Sequence, residues 1–311
     1  MSGRGTPFRA MLRASRRVPA EFSGETVSIA RTAALTTVAM VAFAANSVLC
    51  RLALQETTID PASFTIIRLL AGALTLAGLL AARGGKAARW RVGSWRSALA
   101  LFAYAAAFSF AYVSLTTGTG ALLLFAAVQA TMIGAGLARG ERLARRQSAG
   151  LALALGGLVY LLLPGLAAPP LGGALLMIAA GIAWGVYSLL GRRTPDALAA
   201  TAGNFLRTVP LAIALGMVAV DSPRVDAGGA LYALLSGALA SGAGYAVWYA
   251  ALRGLKATSA ATVQLSVPVI AALGGALLLG EAVTLRLALS SLAILGGVAA
   301  VLLPRRMSTA R

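Results

Sequence analysis

Ten stretches of about twenty apolar residues, separated by charged or Pro/Gly-rich breaks, constrain this chain more than anything else in it. They lie near 32–54, 62–82, 97–116, 119–138, 148–166, 172–191, 200–219, 230–252, 257–279 and 285–303. Each is long enough to carry a helix across roughly 30 Å of hydrocarbon. Hydrophobic residues make up 59% of the 311 residues and charged residues 12%, about half the charge that wets a typical soluble domain. The reading is therefore an all-α integral membrane protein solvated mostly by lipid. The third and fourth runs are nearly continuous and are split at Thr116-Thr117-Gly118-Thr119-Gly120, which reads as a tight polar turn. Nine passes is the competing count.

The charges choose between the two. With the N-terminus in the cytoplasm and ten passes, all but five of the 27 Lys and Arg residues fall on the inner side, the five being Arg51, Arg68, Arg207, Arg224 and Arg286. That is the bias expected of cytoplasmic loops, and nine passes would scramble it. It also accounts for the net charge of +18 without a nucleic-acid partner. Residues 1–30 read as a basic cytoplasmic arm and 305–311 as a cytoplasmic tail. No apolar stretch of signal-peptide length precedes Glu21 and Glu25.

The chain repeats itself. Gly140-Glu141 recurs as Gly280-Glu281, Gly156-Gly157 as Gly296-Gly297, and Leu162-Leu163-Pro164 as Leu302-Leu303-Pro304, each at a spacing of 140 residues. Arg68 answers Arg207, and Tyr112…Leu115 answers Tyr249…Leu252, at slightly shorter spacings. The halves are expected at 31–166 and 167–304, with five helices apiece. Five is odd, so the second half must enter the bilayer from the opposite side. Inverted repeats of this kind build secondary transporters whose substrate site lies near the midplane.

Trp248-Tyr249-Ala250-Ala251-Leu252, then Pro268, Leu279-Gly280-Glu281 and Gly296-Gly297 resemble the EamA branch of the drug/metabolite transporter superfamily. The first half carries the signature more weakly, with Val128 where Pro268 stands in the second. The resemblance runs from about residue 32 to 304 and implies export or exchange of amino acids, metabolites or toxic compounds. Within the branch the chain is most similar to bacterial amino-acid exporters of the YddG type. It implies a multi-pass protein of the bacterial inner membrane with both termini cytoplasmic, a small-molecule substrate, and a monomer or homodimer in the bilayer.

Chemistry is limited by what the sequence omits. There is no histidine and a single cysteine, Cys50, so no catalytic residues, no metal site and no cofactor are expected. An intramembrane enzyme would need a nucleophile with a base, or a metal. No Asp, Glu or Lys lies deep in any run. Proton-coupled carriers commonly place a titratable group there, so facilitated transport is expected.

Two arginines do lie deep, each about 10 Å into its helix. Arg68 and Arg207 can hold a substrate carboxylate or phosphate, or can clamp carbonyls at a neighbouring helix end as gates. Their matched positions favour the clamp. Near mid-helix stand Asn46, Tyr104, Gln129, Trp184, Tyr187, Asn204, Tyr245, Trp248, Gln264 and Ser266, which lipid would leave unsatisfied and which are expected to line the path. Trp90 and Trp95 read as interfacial belt residues. Gly134-Ala135-Gly136 and Gly274-Gly275 read as close helix contacts, and Pro268 as a kink or hinge. The aliphatic runs 148–166 and 285–303 read as peripheral supports or a dimer face.

Overall fold

The computed structural model describes residues 29–302, apart from 85–91, 141, 166–167, 192–193, 220–222 and 256. Residues 1–28 of the basic arm, the tail and Trp90 lie outside the described residues. Within them the chain is helical: α1 (Ile29–Glu56), α2 (Pro61–Ala82), α3 (Trp95–Tyr112), α4 (Thr117–Ala138), α5 (Arg145–Leu162), α6 (Leu171–Gly191), α7 (Ala197–Ala219), α8 (Ala227–Leu252), α9 (Ser266–Leu279, preceded by a short arm, Ala257–Val263) and α10 (Leu285–Leu302). Eight of these segments are long and apolar enough to cross a membrane. The others, α3 and α5, are 18 residues each. Their first turns carry Trp95-Arg96-Ser97 and Arg145-Arg146-Gln147-Ser148, which lower their mean hydropathy.

The caps follow local chemistry. Asp60 accepts from the Ala62 and Ser63 N–H groups at 2.9 and 2.8 Å with Pro61 in the first turn of α2. Ser94 caps α3 and Asp226 caps α8 in the same way. Gly280, at φ 64°, closes α9 in the left-handed conformation. The polar stretch after Leu115 is not the turn expected of it. Thr117–Gly120 is helical, and the turn sits before it. A carboxylate from elsewhere in the chain, that of Glu281, accepts from the Thr117 N–H at 2.7 Å and so replaces the missing local cap.

The outer surface of the molecule is apolar, as lipid requires, and small residues let the helices cross closely inside. Leu74, Val218, Leu277 and Leu292 are each more than 70% exposed, while Ala, Gly, Ser and Thr fill the helix crossings. Gly181 and Gly185 of α6 lie against the Leu124 carbonyl and Thr131 of α4. Gly274 and Gly275 of α9 lie against Val48 and Thr117, whereas Gly134 faces open space and makes no crossing. α5 and α10 pack chiefly on each other: Gly157 meets Ala293 and Ile294, and Gly297 meets Gly150 and Ala154. In the interior, α6 packs on α3 and α4, α1 packs on α8 and α9, and α2 packs on α7 and α8.

Two irregular segments shape the centre. Ser236–Ala243 of α8 is π-helical, a form that often accompanies functional sites. The short arm and α9 are joined by a turn at Gln264 and Leu265. Pro268 lies four residues beyond Gln264 and has no N–H for its carbonyl, so the α-helical ladder breaks there; the Val267 N–H bonds that carbonyl instead, at 3.1 Å.

Candidate functional site

A cavity of about 670 Å³ lies among α1, α3, α4, α6, α7, α8 and the arm before α9. Its walls come from helical stripes. α6 supplies Trp184, Tyr187, Ser188 and Gly191; α7 supplies Ala197, Ala200, Thr201 and Asn204; α8 supplies Tyr245, Trp248, Tyr249 and Leu252. Each set follows the i, i+3, i+4, i+7 spacing of one helix face. Phe43, Ser94, Ser97, Gln129, Met132 and Gln264 are among the other residues that line it. The cavity lies at the end of the bundle where α6 and α8 finish and α3 and α7 begin, beside the connections that carry Arg83, Arg139 and Arg253.

The rings form one connected group. Trp184 stacks on Tyr245 with centroids 5.4 Å apart and planes 22° apart. It also meets Tyr104 at 4.9 Å and Tyr187 at 5.3 Å, and Phe43 joins Tyr245 to Trp248. Hydroxyls and amides punctuate them. Tyr187 donates to Thr201 at 3.3 Å, Thr201 and Tyr249 share a 2.7 Å bond, and Asn204 donates to the Tyr187 oxygen at 3.5 Å. Asn204 also accepts from the Ser94 N–H at 2.9 Å, tying α7 to the start of α3. Gln264 donates to the Ala260 carbonyl at 3.1 Å.

A smaller cavity of about 30 Å³ adjoins the large one at its deep end. Phe43, Trp184, Tyr245 and Gln264 line both, and Asn46, Ser47, Tyr104 and Phe108 line the small one alone. Asn46 accepts from Ser236 of the π-helical segment at 2.5 Å and donates to the Tyr104 oxygen at 3.2 Å. Arg68 is 2% exposed. Its Nη2 donates to the same Tyr104 oxygen at 3.0 Å, and its guanidinium lies 4.8 Å from the Phe108 centroid and 5.3 Å from that of Tyr104.

The expected residues thus converge on the two cavities, with one exception. Ser266 lines neither, because the turn at Gln264 and Leu265 carries it past the wall; its hydroxyl donates to the Val263 carbonyl at 2.7 Å. Pro268 is buried and acts through that turn. The two arginines differ. Arg207 binds the carbonyl of Val92, in the connection before α3, at 3.2 Å and that of Gly203, one turn back in its own helix, at 2.8 Å. Arg68 binds no described carbonyl, since the mid-helix carbonyls around it are occupied by their own helices.

At the opposite end of the bundle the helices are stapled. Arg51 of α1 pairs with Glu281 at 3.1 Å and donates to the carbonyls of Tyr112 and Val113 at 2.9 and 3.2 Å. Glu281 holds Thr117 in addition, so one ion pair joins the ends of α1, α3, α4 and α9. Two aspartates lace the neighbouring connections. Asp60 accepts from the Arg224 N–H at 3.0 Å, and Asp226 from the Thr58 N–H and hydroxyl at 2.9 and 3.0 Å. Partial burial works to raise the Asp60 pKa, but hydrogen bonds from Ser63, Arg224 and Ala62 outweigh it and hold the carboxyl below its usual range. The Gly229 N–H, with Thr58 and Thr57, holds Asp226 at about 2.

Residues 171–303 match the EamA-like transporter family. An uncharacterized protein of Pseudomonas aeruginosa, PA1977, is 60% identical over 281 residues, covering 90% of this chain and 98% of that protein. A solved crystal structure at 21% identity superimposes with a TM-score of 0.63, over 86% of this chain and 96% of that one. That likeness is one of fold.

Proposed function

We propose, from the match of residues 171–303 to the EamA-like transporter family, that this multi-pass membrane protein exports amino acids with aromatic or other apolar side chains, or closely related small metabolites. The reading places it in the bacterial inner membrane with ten passes and cytoplasmic termini, in the manner of YddG-type exporters. The observation that carries it is the cavity of about 670 Å³ walled by rings, amides and hydroxyls at the arginine-rich, cytoplasmic end, with the other end held by Arg51 and Glu281. Most ligand pockets combine such an apolar wall with a few polar groups that fix orientation. This conformation is accordingly the inward-open one, ready to load from the cytoplasm.

Alternating access is supported by the way contacts recur. If α1 to α5 correspond to α6 to α10, the packing of α6 on α3 and α4 is answered by that of α1 on α8 and α9. Gly157 against Ile294 is answered by Gly297 against Ala154, each partner displaced by the same 140 residues. Two halves related in this way can exchange conformations and turn the cavity to the other side.

The placement of the acids supports facilitated transport. None of the described carboxylates lines either cavity, and Glu281 is engaged in the staple. Uptake into proteoliposomes of labelled Phe, Thr, Met and a sugar nucleotide, with and without a pH gradient, tests the reading. Saturable amino-acid flux indifferent to the gradient is expected. Flux that follows the gradient would favour a proton-coupled drug or metabolite antiporter with Glu281 as its acid, and no saturable flux would leave a membrane scaffold.

A further inference from the structure

The deep end of the site holds donors without acceptors. The Tyr104 oxygen accepts twice, from Arg68 and Asn46, and a phenol that accepts twice still has its own proton to give. No described group takes it. Asn46 in turn accepts from the Ser236 hydroxyl. Nη1 of Arg68 has no hydrogen-bond partner, although the residue is 2% exposed. No described carboxylate pairs with this guanidinium; it rests against two rings. A buried, uncompensated charge is costly, and buried donors are normally satisfied.

Tyr104 lies on the small cavity, and the Arg68 guanidinium sits behind its wall. Tyr104 and Phe108, the rings that carry the guanidinium, form part of its wall. Its volume of about 30 Å³ is two to three times the roughly 10–15 Å³ that a cavity needs to admit one water. That suits a carboxylate, and a phosphate dianion would ask for more charge and more donors than one arginine and one phenol supply. The broader cavity opens from it past Trp184 and Tyr245, which offer flat faces to an apolar body.

We infer that the substrate is recognised by its carboxylate, which enters the small cavity, takes the Tyr104 proton as a hydrogen bond and is neutralised by Arg68 one ring behind. This rests on the export reading and sharpens it: the handle is the acid group, and an ammonium group is dispensable. Tyr104 makes the contact. Arg68 is a positioning residue that polarises the phenol and supplies the charge. An amine lacking the carboxylate would set a cation facing that guanidinium, with no acid in the wall to offset it.

The change in intrinsic tryptophan fluorescence of the full-length protein in nanodiscs, to which Trp184 and Trp248 of the cavity contribute, tests this with three probes: phenylacetate, L-phenylalanine and 2-phenylethylamine. Phenylacetate and phenylalanine are expected to bind comparably and about thirtyfold more tightly than the amine, the range for losing one partner of a buried charge pair. In Arg68→Gln the acid-to-amine ratio should fall close to one, a change that a purely structural arginine would not produce. Tyr104→Phe should weaken phenylacetate by about tenfold and leave the amine unchanged. It carries the test if Arg68→Gln does not fold. A wild-type ratio near one, a folded Arg68→Gln that keeps its preference, or unaltered phenylacetate affinity in Tyr104→Phe would overturn the inference. Binding of none of the probes would overturn it too, while saturable flux of another solute would leave the export reading standing. Acid-selective binding without flux would do the reverse.

Discussion

Arg51 and Glu281 form an ion pair whose side chains are each 12% exposed, and each also serves backbone groups of other helices. The pair is therefore a fastener between helix ends and not a surface decoration, which in water would contribute little. Cys50, the chain's single cysteine, is fully buried directly beside it. Glu281→Gln keeps the shape and removes the charge, leaving Arg51 with carbonyls alone. The expected loss is about 1.5–3 kcal/mol of closure at that end. Maleimide labelling of Cys50 should accordingly accelerate by roughly tenfold or more. An unchanged labelling rate would mean that other contacts keep that end shut.

At the scale of the helices, α5 and α10 offer a controlled comparison inside each Gly-Gly pair. A β-carbon on Gly297 would collide with the Gly150 carbonyl and the Ala154 backbone, and one on Gly157 would fall 2.7 Å from the Ala293 β-carbon. On Gly156 or Gly296 it would meet nothing within 4 Å. Gly297→Val should cost about 1–3 kcal/mol by overpacking and visibly lower the thermal midpoint in detergent, while Gly296→Val leaves it within a degree or two. Equal midpoints for the two variants would show that the α5–α10 seam can yield. The sequence made the helices themselves legible, because lipid leaves twenty apolar residues few alternatives to a helix. The cavity was legible where a bulky ring or amide stood alone in an apolar run. Thr201, Ser188 and Tyr249 were missed, although each sits one helical turn from a residue already singled out. Ser266 was placed wrongly because a two-residue turn breaks the helical phase that spacing assumes. The Arg51–Glu281 pair, 230 residues apart in the chain, leaves no local pattern to read.

Across the whole molecule, the α1–α2 and α7–α8 connections are laced by Asp60 and Asp226. Both carboxyls titrate lower in the folded protein than the ordinary value near 3.9, so the unfolded chain binds protons more readily. Their contribution is complete above about pH 4 and disappears as the pH falls toward about 2, where Asp226 titrates. Thermal midpoints measured from pH 7 to 2.5 should be level to about pH 4 and then decline. Asp226→Asn should start lower at pH 7 and decline less steeply, and parallel curves would rule out this lacing as the acid-sensitive element. The interleaved packing has a further consequence, in time. α1 packs mainly on α8 and α9, and α5 on α10, so neither finds its main partners until the last third of the chain has been made. At roughly 5–20 residues per second, the early helices wait on the order of ten to forty seconds in the bilayer as loosely associated rods. Assembly is then completed by the arrival of α10.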